Sequence, residues 1–386
     1  MQNLSVKKHG LNKRVLLMAY VIAALFILSL VKYAGIINKT AGVIAAAEFE
    51  DYTPYQYRIL IPVIIRGAEY ITPGLIKDLW DRHLGGFIDA HYRDYREDLP
   101  DVKVDRLSEY GFRIAAYLAL TYFVLLLYLL VLRNFIRDLN LFSSVAADLL
   151  PLGMIFILPL FFNYTLMFYD YPHLLLFTAG LYFMHKRQWL PFMLVYILGC
   201  LNKETIPFLT LIFAVAFFTK LPWKKYLSLI AGQAAFAIAI RAILVSVFQS
   251  NPGRVADWTL PRNLEHLTTL ANYFQFEPIQ KGMLLPVYLN VPLPRGLNLP
   301  MLAVLIFFII YGWHRKPEFL RQATCYFPFL FIAAMLFGFM DEFRAYYDVL
   351  PIIYLLSILG IKYLYQEKIA FALVKMMGVL DRPAEP

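Results

Sequence analysis

Charge and cysteine are both scarce in this chain. Only 16% of its 386 residues are charged, and its two cysteines, Cys200 and Cys325, both lie in apolar segments. The topology described below places them near opposite membrane faces, so a disulfide between them is not expected. Apolar residues make up 60% of the sequence, and the mean hydropathy is +0.58. A soluble protein of this length could not remove so much apolar surface from water, so lipid must be the solvent for much of the chain.

Several motifs of soluble enzymes are also absent. The sequence has no Gly-rich loop ending in Lys-Ser or Lys-Thr, which argues against direct use of a nucleoside triphosphate. It has no Asp-x-Asp, the commonest metal motif for nucleotide sugars. His83 and His91 lie close together among acids, but a solvated loop explains them better than a metal site does. A divalent metal is not indicated, and no cofactor is predicted.

Ten apolar runs are long enough to form helices in a membrane. They lie at residues 15–37, 112–132, 145–162, 172–184, 189–201, 206–219, 226–248, 299–313, 323–340 and 345–363. The sequence therefore predicts an all-α polytopic membrane protein, with about ten transmembrane helices in a single transmembrane domain over residues 1–386. The first run is interpreted as an uncleaved span. An even number of spans places both termini on one side.

Positive charge is concentrated in the short loops that this topology places inside. Their basic residues are Lys13 and Arg14, Arg133 and Arg137, Lys186 and Arg187, Lys220, Lys224 and Lys225, Arg315, Lys316 and Arg321, and Lys362 and Lys368. This distribution follows the positive-inside rule and predicts cytoplasmic termini. It also accounts for the net charge of +9 without a nucleic-acid partner. The first long loop (residues 38–111) and the second long loop (residues 249–300) are then predicted outside.

Three central runs, 172–184, 189–201 and 206–219, fall short of the about 20 residues that cross the hydrocarbon. Backbone at membrane depth is tolerated where protein or water satisfies it, so short spans can end at a cavity. We therefore expect the turns at Asp170 and at residues 202–205 to lie below the outer membrane surface. Errors of a few residues in the boundaries are the alternative explanation.

The first long loop opens with an acidic stretch, residues 47–62. Glu48, Glu50 and Asp51 place three carboxylates within four positions, and Arg58 follows among tyrosines. General-base catalysis on a hydroxyl needs a carboxylate within hydrogen-bond reach, which makes these three acids the candidate catalytic residues. An ordinary solvated loop start is the alternative interpretation. Residues 55–71 are apolar but too short to span, which suits a helix in the membrane interface.

The remaining candidate residues would bind substrate. They are Arg58, Asp170, Lys203, Glu204, Arg241, Glu342 and Arg344. Lys203 and Arg344 are predicted at helix starts, where the helix dipole disfavours a cation, so each needs a partner or a bound anion.

Structural roles remain open for several of these residues. Arg344 could pair with Asp341 or Asp348 instead of binding an anion. Arg241 lies within an apolar helix and could pair with Glu204. Asp170 could be a simple helix N-cap.

The order of four short motifs resembles a known family. These are P-Y-Q-Y-R-I-L-I-P (54–62), Y-D-Y-P (169–172), L-N-K-E-T (201–205) and E-F-R (342–344). Together with the first span and the acids, they resemble bacterial membrane enzymes of the GT-C glycosyltransferase superfamily. The resemblance covers most of the chain, although here the acids stand later after the first span than family members often place them.

The resemblance implies a function at the outer face of the bacterial inner membrane. A sugar would pass from a polyprenyl-phosphate donor to an envelope glycan, lipid or protein acceptor. An acid of the first long loop would be the base, with Asp51 preferred and Glu50 next. Arg58, Lys203 and Arg344 would hold the phosphate as it leaves.

Two other classes of function fit the same composition. A transporter or flippase of lipid-linked sugars would place polar residues near the midplane, reachable from both sides in turn. A non-catalytic protein of envelope assembly requires no site at all. The predicted partners are membrane lipid and a polyprenyl-phosphate-linked sugar. The sequence indicates neither the sugar and acceptor nor an oligomeric state.

Overall fold

The fold is almost entirely helical. The computed structural model describes residues 12–30, 42–86, 107–161, 166–278, 292–340 and 342–380. Its α-helices are α1 Lys13–Leu30, α2 Val43–Ala47, α3 Leu60–Ile71, α4 Gly74–Trp80, α5 Gly111–Asp138, α6 Ser144–Leu149, α7 Met154–Phe161, α8 Asp170–His185, α9 Trp189–Asn202, α10 Leu209–Phe217, α11 Trp223–Val247, α12 Leu260–Thr268, α13 Leu299–Ile310, α14 Glu318–Ala323, α15 Tyr326–Phe337 and α16 Leu350–Leu380.

Shorter elements complete the described ranges. The strands β1 Phe276–Pro278 and β2 Pro292–Pro294 pair antiparallel. A π-helical turn spans Asp81–Gly85, and 3₁₀ turns span Tyr55–Tyr57, Leu107–Tyr110, Leu150–Gly153, Ile206–Phe208, Leu270–Phe274, Trp313–Arg315 and Phe343–Val349.

The chain is a helical membrane protein, as predicted. Each of the ten apolar runs forms helix over most of its described residues. In the described ranges, four helical segments are long and apolar enough to cross a membrane: Gly111–Asp138, Trp223–Val247, Glu318–Phe337 and Phe343–Ile369. Four shorter apolar segments accompany them: Ser144–Pro159, Trp189–Asn202, Ile206–Phe217 and Leu299–Ile310. A total of ten spans stays a prediction.

Large apolar side chains cover much of the surface. Phe156 is 78% exposed, Leu190 73% and Ile238 70%. Exposed apolar area on this scale suits lipid rather than water. The interior is rich in buried tyrosine, whose hydroxyl needs a partner away from water. The Tyr20 hydroxyl, for example, donates to the backbone oxygen of Asp148 at 2.7 Å.

One ion pair fixes the relative direction of two central helices. Lys186 directly follows α8, and its Nζ lies 3.0 Å from Oδ2 of Asp138, the last residue of α5. The C-terminal ends of α5 and α8 are therefore adjacent. Asp170, the first residue of α8, consequently lies toward the opposite end of the helix bundle. Since α8 has 16 residues, it rises only about 24 Å, less than the roughly 30 Å hydrocarbon layer.

A second charged cluster lies at the C-terminal end of α5. Asp148 is fully buried, and its Oδ1 accepts a hydrogen bond from Arg133 Nε at 2.7 Å. Its Oδ2 accepts from Arg137 Nη2 at 3.0 Å. Both arginines belong to the set that the charge pattern predicts on the inner side. The buried carboxylate is thus fully paired, as a charge in an apolar interior must be.

Candidate functional site

A cavity of about 380 Å³ collects the polar residues that the sequence singles out. It lies between the 3₁₀ turn Tyr55–Tyr57, the start of α8, the turn after α9, helix α15 and residues 342–347. All seven predicted substrate-binding residues line it: Arg58, Asp170, Lys203, Glu204, Arg241, Glu342 and Arg344. The rest of the lining is mostly apolar, including Phe208, Leu330, Ala333 and Phe337. This cavity, called the main cavity below, therefore combines charged groups with an apolar wall.

The short central helices end at the main cavity, as predicted. Asp170 begins α8, while Lys203, Glu204 and Thr205 form the turn between α9 and the following 3₁₀ turn. All four residues line the cavity. The polar backbone exposed at these helix ends therefore meets a cavity rather than hydrocarbon.

Arg58 forms a bidentate ion pair with Glu204. Its Nε donates to Glu204 Oε2 at 3.0 Å, and Nη2 donates to the other carboxylate oxygen. The guanidinium carbon also lies 3.9 Å from the ring centroid of Tyr169. Burial alone would raise the pKa of Glu204, but the charge of Arg58 outweighs burial and lowers the pKa to about 2. Glu204 is thus an anion bound to Arg58, and its predicted alternative pairing with Arg241 is wrong.

Lys203 belongs to a buried network centred on Asp348. The Lys203 Nζ donates to Asp348 Oδ1 at 3.0 Å, and His173 Nε2 lies 3.0 Å from the same oxygen. The Tyr326 hydroxyl donates to Oδ2 at 3.0 Å. Asp348 therefore pairs with Lys203, and its predicted alternative pairing with Arg344 is wrong. Asp341, the other predicted partner of Arg344, lies outside the described residues.

Lys203 does not lie at a helix start, so that prediction is wrong. Helix α9 continues through Asn202, so Lys203 is the C-cap of α9 rather than part of a helix start. A cation near a helix C-terminus is favoured by the dipole. The Asn202 side chain does not cap a following helix either; it donates to the backbone oxygen of Tyr169 at 2.9 Å.

Arg344 lies between two carboxylates. Its Nη2 donates to Glu342 Oε2 at 2.8 Å, while Nη1 lies 3.6 Å from Asp170 Oδ2. Asp170 Oδ2 instead accepts from the backbone N–H of Met167 at 2.8 Å. Tyr169 occupies the N-cap position of α8, so Asp170 is not the N-cap. Arg344 Nη1 and Asp170 Oδ1 are buried and have no hydrogen-bond partner in the described ranges.

Arg241 is held differently from the other cations. Its Nη2 donates to the backbone oxygen of Val255 at 2.9 Å, and its guanidinium carbon lies 4.2 Å from the ring centroid of Tyr57. Within the described part of the chain, Arg241 has no carboxylate partner. It therefore brings an uncompensated positive charge to the main cavity.

The three predicted catalytic acids do not line the main cavity. Glu48 pairs with Arg113, whose Nε also donates to Glu69 Oε1 at 3.1 Å. Glu50 is exposed. Asp51 is fully buried; its Oδ1 accepts from the Tyr52 N–H at 2.8 Å.

The environment of Asp51 disfavours its anionic form. Burial raises the pKa of Asp51 to about 7. The Oδ2 atom has no hydrogen-bond partner among the described residues.

A second cavity of about 370 Å³ adjoins the main one. Its lining is Tyr52, Thr53, Tyr55, Gly253, Arg254, Asp257 and Trp258. Tyr55 and Asp257 line both cavities, so the two are neighbours. This second cavity was not predicted from the sequence. The sequence feature that could have indicated this cavity is the stretch N-P-G-R-V-A-D-W at 251–258, where two charged residues and a tryptophan follow Pro-Gly.

The second cavity lies where the two long loops join. The Thr53 N–H donates to the Pro252 oxygen at 2.9 Å, and Asn251 Nδ2 donates to the backbone oxygens of Phe49 and Asp51 at 3.0 Å each. Gly253 has φ +109°, and a Cβ there would lie 2.4 Å from the Thr53 oxygen. Only glycine fits this junction.

Comparison with known proteins gives no family. No protein-family model matches the chain, and neither the curated proteins nor the solved structures yield a match. Among the described residues, no group of three or more His, Cys, Asp or Glu side chains is placed to hold a metal ion. The family resemblance therefore stays a prediction from four short motifs.

Proposed function

We propose that this chain is a membrane glycosyltransferase of the GT-C type. It would transfer a sugar from a polyprenyl-phosphate donor to an envelope acceptor at the outer face of the bacterial inner membrane. The observation that carries the proposal is the main cavity, where charged residues and an apolar wall face one space. An amphipathic ligand with an anionic head and an apolar tail matches that combination.

The anionic head would bind at Arg344. This side chain is only 14% exposed, yet its Nη1 has no hydrogen-bond partner in the described ranges. An unused guanidinium donor in a buried site is costly unless a ligand satisfies it. A phosphate oxygen does so with a charge-assisted hydrogen bond. Arg241 would add the positive charge that no described carboxylate balances.

The apolar tail would leave along α15. Leu330, Ala333 and Phe337 of this helix line the main cavity. Phe329 and Ile332 of the same helix are 47% and 54% exposed on the outside of the bundle. A lipid tail would therefore follow α15, which contributes apolar side chains both to the main cavity and to the exposed surface.

A flippase is the competing function. It would need polar groups that are reachable from both membrane faces. The main cavity instead lies at the Asp170 end of α8. At the opposite end of the bundle, Arg133 and Arg137 near the C-terminus of α5 are paired with the buried Asp148. This arrangement favours chemistry at one face. The proposed topology keeps both termini cytoplasmic and both long loops outside.

Binding of polyprenyl phosphate to the purified protein tests the proposal. Arg344→Ala should weaken binding by about tenfold to a hundredfold, because a charge-assisted contact contributes roughly 1.5–3 kcal/mol. Arg344→Lys should also weaken binding, since a planar fork becomes a point charge. Arg315→Ala is the matched control, because Arg315 pairs with Glu367 away from both cavities.

The thermal midpoint of each variant shows whether it remains folded. If folded Arg344 variants bind polyprenyl phosphate like the parent, the main cavity is not the phosphate site. If the parent binds no polyprenyl phosphate, the glycosyltransferase proposal itself fails.

A further inference from the structure

We propose that the second cavity binds the acceptor as a saccharide, and that Asp257, which lines both cavities, takes the proton from the attacking hydroxyl. This inference rests on the proposed function and adds the acceptor's chemical class and the base. It differs from the sequence prediction, which places the base among the acids of the first long loop.

The lining of the second cavity suits a sugar. Tyr52, Tyr55 and Trp258 present aromatic rings, which combine an apolar face with a polar edge. A sugar ring has the matching combination of C–H faces and hydroxyl edges. Trp258 is 55% exposed, and its ring packs edge-to-face on Phe337 with centroids 5.9 Å apart. The tryptophan is therefore both held in place and accessible.

Two charged side chains of the second cavity are free to bind hydroxyl groups. Arg254 and Asp257 form no ion pair or hydrogen bond with other described residues, whereas Glu204 of the adjoining main cavity is paired with Arg58. Charged groups that lack protein partners are the ones available to a polar ligand. Guanidinium and carboxylate groups together recognise both the acceptor and the donor sites of saccharide hydroxyls.

Position and pairing single out Asp257 as the base. Glu204 is bound to Arg58, Glu342 is bound to Arg344, and Asp170 accepts from the Met167 N–H. Asp51 lines neither cavity. Among the described carboxylates that line the main cavity, only Asp257 lacks a partner and also lines the second cavity. A base must reach the acceptor hydroxyl beside the donor carbon, which is where the two cavities meet.

The reaction balances with these groups. The acceptor oxygen forms a bond to the anomeric carbon of the donor sugar, and the bond from that carbon to the phosphate oxygen breaks. The electron pair of the broken bond stays on the leaving polyprenyl phosphate. The hydroxyl proton passes to Asp257 Oδ, which later releases it to water.

Saccharide binding can be measured without turnover. Methyl glycosides of common hexoses are titrated into the full chain in lipid nanodiscs, and tryptophan fluorescence is recorded. We expect a saturable change with at least one glycoside, which disappears in Trp258→Phe and needs about tenfold more ligand in Arg254→Ala. Glu265→Gln, on the exposed surface of α12 in the same loop, should respond like the parent. No response from any glycoside, or an unchanged Arg254→Ala, would overturn the acceptor assignment.

Transfer assays separate Asp257 from Asp51. With a polyprenyl-phosphate-linked sugar and the responding glycoside, Asp257→Asn should lower kcat at least a hundredfold while polyprenyl phosphate binding stays unchanged. Asp51→Asn should keep most of the activity. If Asp257→Asn retains kcat, the base assignment is wrong, although the proposed function stands as long as the parent transfers sugar. If the parent binds polyprenyl phosphate and a glycoside but transfers nothing, both proposals fail.

Discussion

Replacing Asp51 by asparagine tests the buried environment of the first long loop. The Asp51 carboxyl is fully buried, and burial raises its pKa from 3.8 to about 7. The unfolded chain therefore releases this proton near pH 4, whereas the folded chain keeps it until near pH 7. In that window the folded state binds more protons, so rising pH lowers the free energy of unfolding. Asparagine has no carboxyl proton to release, so the variant does not lose this part of the free energy of unfolding as the pH rises.

The size of the effect follows from the pKa difference. At about 1.36 kcal/mol per pH unit, the shift corresponds to a loss of about 4 kcal/mol between pH 4 and pH 8. Asparagine keeps the acceptor for the Tyr52 N–H and resembles the protonated acid in shape. We therefore expect Asp51→Asn to match the parent near pH 4 and to be more stable at pH 8.

The assay is the thermal midpoint in detergent at several pH values. The difference between variant and parent isolates Asp51, because all other groups titrate in both proteins. Glu50→Gln is the control, since Glu50 is exposed. We expect the midpoint difference to grow by several degrees from pH 4 to pH 8. A difference that is independent of pH would show that Asp51 is not a buried acid of raised pKa.

Three further predictions concern other parts of the chain. Gly253→Ala should both lower the thermal midpoint and weaken glycoside binding, because the added Cβ would collide with the Thr53 backbone oxygen. If neither value changes, the close contact between Gly253 and Thr53 is wrong. In chemical denaturation, Asp348→Asn should lower the free energy of unfolding by about 3–5 kcal/mol, because it leaves Lys203 beside a neutral partner in a buried network. The control Glu318→Gln, which breaks the exposed pair with Lys220, should lower it far less in the same assay; equal losses would contradict the buried network. A single cysteine at Glu265 should react with an impermeant thiol reagent in whole cells, and one at Arg315 should not; the reverse result would invert the topology.

Long apolar runs were enough to predict the helices of the ten apolar segments, because a long apolar run in lipid has few alternatives to a helix. Seven of the eight charged residues that line the main cavity were also predicted, all except Asp257. Asp170, Lys203 and Arg344 interrupt apolar sequence, and such interruptions are costly unless they face a shared polar space. The long apolar runs therefore predict the membrane character, and the few charged residues that interrupt them predict most of the charged lining of the main cavity.

The ion pairs were not predictable, because the paired residues are far apart in sequence and several alternative pairs were chemically equivalent. Arg58 and Glu204 are 146 positions apart, and Lys203 and Asp348 are 145 apart. Only the packing of α8, α9 and residues 343–349 decides between them. Asp257 escaped notice for a different reason: it lies in a polar loop, where a carboxylate is ordinary. Its position between the two cavities appears only in the fold.

The ion pairs around the main cavity have a consequence for how its variants are interpreted. Two of its cations form ion pairs with carboxylates that also line it, Arg58 with Glu204 and Arg344 with Glu342. Removing one cation leaves its carboxylate partner as an isolated anion in an apolar setting, which destabilises the protein independently of any ligand. Removing both members of a pair, as in the double variant of Arg58→Ala with Glu204→Ala, preserves the balance. Electroneutral double substitutions therefore distinguish a loss of ligand affinity from a loss of folding.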